Sequence, residues 1–478
     1  MKMNTGTFST STVLQNNLTT NLLKYPEISK ALIRQYPQYS LTYFTEGTGR
    51  FAKEELIGSN RFEWFIQGRL NSVSTCNGAA NGAAVGVATG GATNAIFSIE
   101  FDTVYINLYD VIRTRSGVTA VCISTDYSGT HSAINGGTVL AFRVTDNGNA
   151  AITFADEFTD GYTVNTIGTA FPENSSQGYE NHTFPDKYTN WLTIFRKRKS
   201  ISGSALTDVT WVENNGQRLW YWTDLNYVLD EFLYQKELAF WYGNASKTAS
   251  ASAGVETFAA TAVADASANE IVTGDGILAQ VTGSHSANYA GILSENTLVK
   301  FLANLQLQAG NPNSDWVVFT GTGGMHAFHQ AMKDYVSGSG ASEPSKMYDM
   351  DAGREVEVGG NFRTYYALGH RLTLVHAPIF DDPNLHTKQS GPNFVDESYK
   401  MVFLDLGVSN GVSNVEVKTK GAGGVDRGMI VKHIPGMVDP FDPKSIKAAS
   451  SSDAFTMECL SESGIIVRNP NACGVLSF

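Results

Sequence analysis

The sequence predicts an α+β fold in which strands lie before and after one long helix. The stretch from Leu219 to Gly243 carries apolar side chains at the spacing of an amphipathic helix. Short runs that alternate between apolar and polar residues, as strands do, occur on both sides of it. The composition agrees, because 46 glycines and only 17 % charged residues are typical of a folded chain with many turns. At 478 residues the chain is long enough for about three domains.

The predicted helix is long and rich in aromatic residues. At about 1.5 Å per residue it spans about 35 Å, and it holds three of the seven tryptophans. Other elements or other chains must cover that much aromatic surface. Asp224 is expected in the first turn, where the helix dipole favours an anion, and Gly243 is expected to end the helix. The polar side chains predicted on the face opposite the apolar one are Asp224, Asn226, Asp230, Glu231, Lys236 and Glu237.

The first 60 residues contain too few apolar groups to form a core. They offer at most one short amphipathic helix, between Pro26 and Pro37. Lys and Arg outnumber Asp and Glu there by six to four, against the acidic balance of the whole chain. Two interpretations stay open, a loosely ordered tail or an arm that becomes ordered on a neighbouring molecule.

From residue 61 onward the sequence predicts an antiparallel β unit. Phe62–Ile66 has the pattern of its first strand, and a Gly- and Ala-rich loop follows from Asn77 to Ala95. Asp146–Gly148 is a strong signal for a hairpin turn. The further strands are predicted at Ala95–Phe101, Val118–Ser124, Thr138–Val144 and Ala150–Phe154.

Charge is unevenly distributed within and after this unit. Residues 144–186 contain seven acids and no Lys or Arg, whereas residues 187–199 contain five Lys and Arg and no acid. Two solvated faces of one domain would explain the pattern. Complementary patches on adjacent subunits, which fix the register between chains, would explain it as well. On an alternating strand, the adjacent basic residues Arg196–Lys199 are expected to divide between its two faces.

The second half of the chain alternates helices and strands. Residues 245–273 contain ten alanines and are predicted to form a flexible segment. A helix is expected from Ser294, as N-cap, to Gly310, and Trp316–Thr320 is expected to be a buried strand. A second helix is predicted after Gly321. The remaining strands are predicted at Arg354–Val358, Asn361–Leu368, Leu372–His376, Lys400–Leu406, Met429–His433 and Gly464–Arg468.

Two motifs in this half invite a catalytic or phosphate-binding interpretation. Gly321–Gly324 lies between a strand and a helix, where backbone N–H groups can cradle phosphate, but His326 replaces the third glycine. Tight turning is therefore the favoured interpretation. Gly407–Gly411 matches the G-x-S-x-G pattern around Ser409, which would make the chain a serine hydrolase. That chemistry needs a following helix, whereas Val412–Lys418 alternates like a strand, so Ser409 is predicted to lie in a hairpin.

No cofactor or metal ion is predicted. His326 and His329 share a predicted helix, but zinc needs further ligands and a second shell. The cysteines Cys76, Cys122, Cys459 and Cys473 form no CxxC pair, which favours a reducing compartment. Neither a signal peptide nor a membrane-spanning segment is expected from the sequence. The net charge of −12 argues against a dedicated nucleic-acid binder and is compatible with a protein that encloses a polyanion.

The order of these elements resembles the major capsid proteins of tailed bacteriophages, which have the HK97-type fold. Within that group the sequence is most similar to the capsid proteins of crAss-like phages that infect gut Bacteroides. None of the similar segments is a catalytic motif, and their order over nearly the whole chain carries the resemblance. The segments are Gly58–Trp64, Trp220–Tyr242, Gly274–Leu278, Asp315–Gly321 and Ile465–Pro470.

The resemblance implies an HK97-like α+β fold with a long spine helix and an extended β loop. It assigns residues 1–60 to an N-terminal arm and residues 61–215 to an extended loop that reaches a neighbouring subunit and carries an inserted β subdomain. Residues 216–290 become the peripheral domain with the spine helix, residues 291–399 the axial domain, and residues 400–478 the return strands of the peripheral domain.

The resemblance also implies a structural protein without catalysis. Hexamers and pentamers of the chain would form an icosahedral head around double-stranded DNA, together with portal, scaffolding and decoration proteins. The location implied is the virion capsid, after synthesis in the cytoplasm of the bacterial host. A β-rich adhesin or binding module is the alternative, and a hydrolase built on Ser409 the third hypothesis. The residues predicted to contact neighbouring subunits are Phe62, Trp64, Asp156, Glu157, Asp160, Lys187, Arg196, Lys197, Arg198 and Lys199.

Overall fold

The computed structural model of the chain describes residues 54–67, 73–77, 94, 96–113, 117–124, 136–146, 160–176, 178, 185–206, 209–214, 217–247, 249–252, 255–258, 269–282, 285–289, 292–309, 315–337, 364–390, 394–409, 411–437, 439–440, 444 and 451–478. Several predictions fall outside these residues. They are the helix between Pro26 and Pro37, the strands Ala150–Phe154 and Arg354–Val358, and most of the turn at Asp146–Gly148.

The chain divides into two compact units. The main unit consists of Met1–Trp64 and Tyr188–Phe478, and the inserted unit consists of Phe65–Lys187. The inserted unit lies within the segment 61–215 that the resemblance assigns to an extended loop. Residues 188–215 of that segment belong to the main unit, because a long strand in them pairs with the C-terminal part of the chain.

The described strands, in chain order, are β1 Glu54–Ile57, β2 Arg61–Ile66, β3 Val73–Cys76, β4 Ile96–Thr103, β5 Asp110–Arg113, β6 Thr119–Ser124, β7 Thr138–Asp146, β8 Thr163–Thr169, β9 Asp186–Trp191, β10 Thr193–Ser202, β11 Val209–Asn214, β12 Gln217–Leu219, β13 Ala249–Ser252, β14 Val255–Phe258, β15 Ser286–Asn288, β16 Trp316–Thr320, β17 Thr364–Ala367, β18 His370–His376, β19 Met401–Asp405, β20 Val408–Ser409, β21 Val412–Ser413, β22 Val415–Ala422, β23 Val425–Asp426, β24 Ile430–Ile434, β25 Ala454–Val467 and β26 Gly474–Ser477. The α-helices are α1 Gly203–Leu206, α2 Trp220–Tyr242, α3 Ile277–Thr282, α4 Glu295–Ala309 and α5 Thr322–Ser337. Short 3-10 helices occur at Pro378–Phe380, Asp396–Tyr399 and Pro470–Ala472.

The inserted unit is a closed antiparallel sheet with strand order β3-β4-β7-β6-β5-β8. Its core is apolar and centred on Phe97, Phe101 and Phe142, with the rings of Phe97 and Phe142 5.5 Å apart. The antiparallel β unit predicted from the sequence is thus present, but Phe62–Ile66, predicted as its first strand, lies outside the closed sheet, because this strand (β2) pairs with β9 in a separate two-stranded sheet. The strands β3, β5 and β8 were not predicted, because each is short or carries too few apolar residues to alternate clearly.

The first sheet of the main unit has the order β1-β22-β25-β10, with β23 on β22 and β24 on β25. The strand β25 is 14 residues long because it pairs with β10 along one edge and with β22 and β24 along the other. Only its last part, Gly464–Arg468, was predicted. At one end of the sheet, β1 pairs in parallel with β22, so the last part of the predicted N-terminal arm is a strand.

The second sheet of the main unit has the order β15-β26-β19-β16-β18-β17. The central strand β16 is buried along its whole length, as predicted, because both faces of the sheet are covered. One face packs on α4 and α5, and the other packs on α3 and the C-terminal end of α2. Ser294 caps α4, since its Oγ accepts a hydrogen bond from the backbone N–H of Thr297 at 3.2 Å.

The long helix α2 matches its predicted limits to within one residue at the start, and Gly243 follows its end as predicted. Asp224 lies in the second turn rather than the first, because the helix begins at Trp220. In the segment predicted to be flexible, β13 and β14 form a hairpin. That part of the prediction is wrong, since it rested on composition alone. The predicted α+β class is confirmed.

Candidate assembly surface

The sheet that contains β10 has one face covered by the long helix α2. Leu225, Val228 and Phe232 of α2 pack against Phe455 and Met457 of β25. Side chains of a strand alternate between the two faces of its sheet. Every second side chain of β10 therefore lies on the face that α2 covers, and the side chains between them lie on the opposite face.

The four adjacent basic residues of β10 divide between the two faces, as their alternation predicts. Lys197 lies on the side of α2, and its Nζ is 2.5 Å from Glu231 Oε1 on that helix. Lys199 shares this side and is half-buried. Arg196 and Arg198 are exposed on the opposite face. Of the four, only Arg196 and Arg198 are therefore exposed on the face away from α2.

A positively charged surface surrounds these two arginines. Arg198 lies opposite Glu458 on β25, and Lys432 on β24 lies opposite the same glutamate from the other side. The distance between Arg198 Nε and Glu458 Oε1 is 3.7 Å. In the next row Arg196 lies opposite Leu460. We call the surface formed by these five residues the basic face, since it carries three cations and one carboxylate beside an apolar side chain.

Phe62 and Trp64 were predicted to contact neighbouring subunits, and the structure gives both a role within the chain. Phe62 is buried against Leu192 and Ile466. The Trp64 ring stacks on Tyr188 with 5.8 Å between centroids. These contacts hold the pair of strands β2 and β9, through which the chain leaves the main unit and returns to it. Contact of either aromatic residue with another subunit stays a prediction.

The acidic residues predicted to pair with this basic surface are only partly described. Asp160 is exposed in the inserted unit, and Lys187 is exposed at the end of the same unit. Asp156 and Glu157 lie outside the described residues. The complementary-patch hypothesis therefore keeps Asp160, Glu173 and Asp186 as described and exposed acids, and Lys187, Arg196 and Arg198 as described and exposed basic residues.

The long helix buries two charged residues that were predicted on its polar face. Lys236 is 3 % exposed and Glu237 is 1 % exposed, so that part of the prediction is wrong. The reason is that α2 is covered by two cores, one under the first sheet and one under the second. Trp241 Nε1 donates a hydrogen bond of 2.9 Å to Glu237 Oε1, which satisfies one oxygen of the buried carboxylate.

Two tyrosines fasten α2 to the segment that follows β18. Tyr234 donates its hydroxyl proton to Asp382 Oδ2 at 2.9 Å, and Tyr242 donates to Glu397 Oε1 at 3.2 Å. Burial raises the pKa of Tyr234 to about 12, with Asp382 adding to the effect. Burial and the nearby Glu397 carboxylate raise the pKa of Tyr242 still further. Both hydroxyls are therefore protonated donors at neutral pH.

An ion-pair cluster that sequence reasoning missed lies at the opposite end of the first sheet from β10. Lys418 Nζ contacts Glu55 and also lies 3.1 Å from Glu416 Oε2. Arg468 bonds to Glu416 and lies 3.6 Å from Glu55 Oε2. The alternation of Val415–Lys420 (VEVKTK) was a signal, because it puts charges two residues apart on one face of a strand.

The tight turn predicted at Gly321–Gly324 is not observed, because residues 322–324 already form the start of α5 and only Gly321 precedes it. A polar group beside the start of this helix could be mistaken for a catalytic site. Asp381 accepts hydrogen bonds from the Thr322 backbone N–H and hydroxyl, both at 2.7 Å, and lies 2.7 Å from His376 Nε2. In a Ser-His-Asp type site the histidine lies between nucleophile and carboxylate. Here the Thr322 hydroxyl lies 3.2 Å from His376 Nε2 but also bonds to the Asp381 carboxylate directly at 2.7 Å, so the histidine does not stand between the two. Asp381 thus caps the start of α5 and fills the place that a phosphate would need.

Ser409 lies in the hairpin predicted for it. β20 and β21 pair antiparallel, with Val408 opposite Ser413 and Ser409 opposite Val412. The strand-to-helix turn that exposes the nucleophile of a hydrolase is therefore not formed at this serine, because a strand follows it.

The remaining candidate groups form no reactive centre within the described residues. His326 and His329 are exposed on α5, and no group of three or more possible metal ligands occurs among the residues described. All four cysteines are buried thiols, and burial raises the pKa of Cys76 and of Cys473 to about 12. Such thiols are poor nucleophiles. None of the described helices combines the length and the hydropathy that crossing a bilayer requires.

Comparison with known proteins shows the family to which the chain belongs. The family described as Crassvirus major capsid protein matches residues 1–478, which is the whole chain. The chain belongs to this family. The predicted resemblance to crAss-like phage capsid proteins is thereby confirmed, and so is the predicted function as a shell protein of the virion capsid.

Three of the solved structures that match the chain share low sequence identity with it. The capsid chain of an empty GTA particle shares 11 % identity with this crassvirus capsid chain, with 96 % of each chain covered and a TM-score of 0.40. A chain of Mycobacterium phage Adephagia shares 10 % identity over 96 % of each chain, with a TM-score of 0.40. The holo-SrpI encapsulin complex from Synechococcus elongatus shares 10 % identity, covering 62 % of this chain and 75 % of the other, with a TM-score of 0.33. No curated protein matches the chain.

Proposed function

We propose that this chain assembles into the hexamers and pentamers of an icosahedral phage head that encloses double-stranded DNA. The observation that carries the proposal is the match of the Crassvirus major capsid protein family to all 478 residues. Such a protein must offer several surfaces to copies of itself. The exposed arginines Arg196 and Arg198 of the basic face suit this task, and so does the inserted unit, which has a hydrophobic core of its own.

We assign the segments of the chain the roles of an HK97-type capsid protein. Residues 1–60 act as the N-terminal arm, and the inserted unit Phe65–Lys187 acts as a subdomain of the extended loop. The helix α2 would be the spine of a peripheral domain to which residues 400–478 return as sheet through β22, β24 and β25, whereas β19 and β26 of the same residues lie in the second sheet with β16. Residues 291–399 form the axial domain. Each of these roles rests on the family and on the order of the elements.

The inter-subunit contacts follow from the distribution of charge. The basic face, with Arg196 and Arg198, would meet the acidic segment 144–186 of a neighbouring copy, of which Asp160 is exposed. Opposite charges at such a contact fix register and orientation more than they add affinity. Lys197 pairs with Glu231 of α2 within the chain, so we propose that it stabilises the packing of β10 on α2 and does not contact a neighbouring subunit.

The remaining partners are those of a phage head. Portal, scaffolding and decoration proteins would bind the shell, and the chain would be made in the cytoplasm of the bacterial host. The net charge of −12 favours enclosure of DNA without tight binding, because like charges repel. The chain would act without catalysis.

Assembly is tested by producing the full chain with its natural partners and measuring sedimentation and electron micrographs. A shell protein gives closed particles of hundreds of copies, whereas an adhesin or binding module gives a discrete monomer or trimer. If particles never form under conditions in which the subunit is folded, the proposal is wrong. For the hydrolase hypothesis, the Ser409→Ala variant is compared with the unchanged chain on acyl esters, and equal rates remove that hypothesis.

A further inference from the structure

The strand β1 is the point at which the N-terminal segment joins the described body of the chain. It is four residues long and pairs in parallel with β22, with Glu55 opposite Lys418 and Leu56 opposite Thr419. So short a strand has little apolar surface to define its register. A slip by one residue would move every side chain of β1 to the other face of the sheet. Some other contact must therefore select this register.

The contact that selects it is the ion-pair cluster beneath β1. The Lys418 side chain is only 6 % exposed, and the Glu416 side chain is only 7 % exposed. Glu55 reaches Lys418 from β1, and Arg468 approaches both carboxylates from the end of β25. With Glu55 in place, two cations face two carboxylates. Without it, Lys418 and Arg468 would share Glu416 alone, and a buried ammonium would lose half of its neutralising partners.

We propose that the edge of β22 is a binding site for an extended strand that carries one carboxylate, that Glu55 of β1 fills this site, and that loss of this carboxylate's charge releases β1 from β22. The kind of ligand follows from the cluster, because the position that Glu55 fills lies between two cations and beside the backbone groups of β22. This inference concerns the isolated subunit and does not depend on how shells are built.

The direction of the pH dependence follows from the same contacts. The hydrogen bond from Lys418 lowers the pKa of Glu55, with the charges of Lys418 and Arg468 acting in the same direction. A carboxyl whose pKa is lower when β1 is paired stabilises the paired state fully at pH values above its free pKa, near 4.5. This stabilisation is lost as the pH falls below 4.5. The charged groups that face Glu55 are Lys418 and Glu416 on β22 and Arg468 after β25. Acid therefore releases β1.

Backbone hydrogen exchange of Glu54–Ile57 in the unassembled full chain tests the proposal. At neutral pH we expect Glu55→Gln to lower the protection factors of these amides by about twofold to fivefold, the effect expected for an ion pair whose carboxylate side chain is 52 % exposed. The matched control is Glu63→Gln, which removes a carboxylate from a surface ion pair with Arg61 on the neighbouring strand β2. Protection of Glu54–Ile57 should be unchanged in this control.

The pH series supplies a readout that a merely structural role would not change. Protection of β1 in the unchanged chain should begin to fall near the free pKa of 4.5 and approach the Glu55→Gln level as the pH is lowered from about 7 to about 3, while the variant changes little. Because the variant retains Glu416, the difference between the two curves belongs to Glu55. Equal protection at neutral pH, or parallel curves, would overturn the proposal. If Glu55→Gln also lowers the protection of the amides of β16, the variant has destabilised the main unit as a whole. The test then rests on the pH series of the unchanged chain, in which β1 must lose protection in acid before β16 does.

Discussion

Asn190 joins three segments of the main unit through one buried side chain. Its Nδ2 donates to the carbonyl oxygens of Asp275 and Ile465, both at 3.0 Å. Its Oδ1 accepts from the backbone N–H groups of Trp191 and Asp275, both at 2.8 Å. A buried amide with every hydrogen bond made fixes its neighbours closely, because each lost bond leaves an unsatisfied polar group. The end of β9 is therefore held against β25 and the turn before α3.

The same turn explains why glycine is required at position 274. A Cβ at Gly274 would lie 2.1 Å from the carbonyl oxygen of Trp191, which is backbone and cannot turn away. We expect Gly274→Ala to lower the free energy of unfolding by at least about 2 kcal/mol, measured by urea denaturation of the unassembled chain. Gly58→Ala is the control, since a Cβ there meets nothing within 4 Å. A loss at position 274 no larger than that of the control would contradict this account.

His285 makes the stability of the second sheet depend on pH. It is adjacent to β15, and its carbonyl oxygen accepts a hydrogen bond of 2.8 Å from Val475 on β26. Burial lowers the pKa of His285 from its ordinary value of 6.5. As the pH falls from about 6.5 toward the lower pKa of the folded state, the unfolded chain binds this proton more readily than the folded chain does, and stability falls over that range.

We expect His285→Asn to reduce the pH dependence of the melting temperature. Between about pH 7.5 and about pH 5.5 the unchanged chain should lose more stability than this variant does, because the variant lacks the titrating imidazole. The matched control is His326→Asn, which removes an exposed histidine from α5. Calorimetry at several pH values measures the three slopes, and equal slopes for all three proteins would show that His285 does not contribute.

At the scale of elements, the sequence predicted what has a clear period. The helix α2 and the strand β16 were predicted nearly at their observed limits, because one has a sustained helical spacing and the other is a short apolar run between turn residues. The long strand β25 was largely missed. Its sequence lacks simple alternation because pairing on both edges and partial cover of both faces bury polar residues such as Ser461 and Ser463.

The basic residues show what sequence could not decide about the candidate surface. Alternation predicted that Arg196–Lys199 would divide between two faces, but not which face α2 would cover. The contribution of Lys432 and Glu458 depends on the pairing of β10 and β24 with β25, which joins residues far apart in the chain. Contacts of this kind have no local signal in a single sequence.

Substitutions on β10 should therefore act differently according to the face they change. We expect Arg196→Glu with Arg198→Glu to prevent shell formation and to change the unfolding free energy by about 1 kcal/mol or less, because both side chains are exposed. Lys197→Glu should instead destabilise the subunit, since it would replace the cation that pairs with Glu231 by a second carboxylate. Sedimentation measures assembly, and urea denaturation measures folding. Normal shells from the double variant would remove the basic face from the inter-subunit contacts.

At the scale of the whole molecule, the two units have separate hydrophobic cores. The core of the inserted unit contains residues from Cys76 to Val164 only. The cores of the main unit contain residues from both sides of the insertion, such as Phe62 and Ile466. The sequence predicted that a β unit is inserted between an N-terminal segment and the long helix. The sequence could not give the limits of the inserted unit, because the boundaries between the two units fall inside the strands β2 and β9 rather than in loops.

Separate cores predict that the units lose their structure independently. Phe142 in the inserted unit and Phe319 in the main unit are both fully buried phenylalanines, so Phe142→Ala and Phe319→Ala form a matched pair. Each should cost about 3–5 kcal/mol within its own unit. In hydrogen exchange of the unassembled chain, Phe142→Ala should lower protection in β4 and β7 and leave β16 and β19 unchanged. Phe319→Ala should do the reverse. If either substitution lowers protection in both sets of strands equally, the chain unfolds as one cooperative body, and the inserted unit is no independent module.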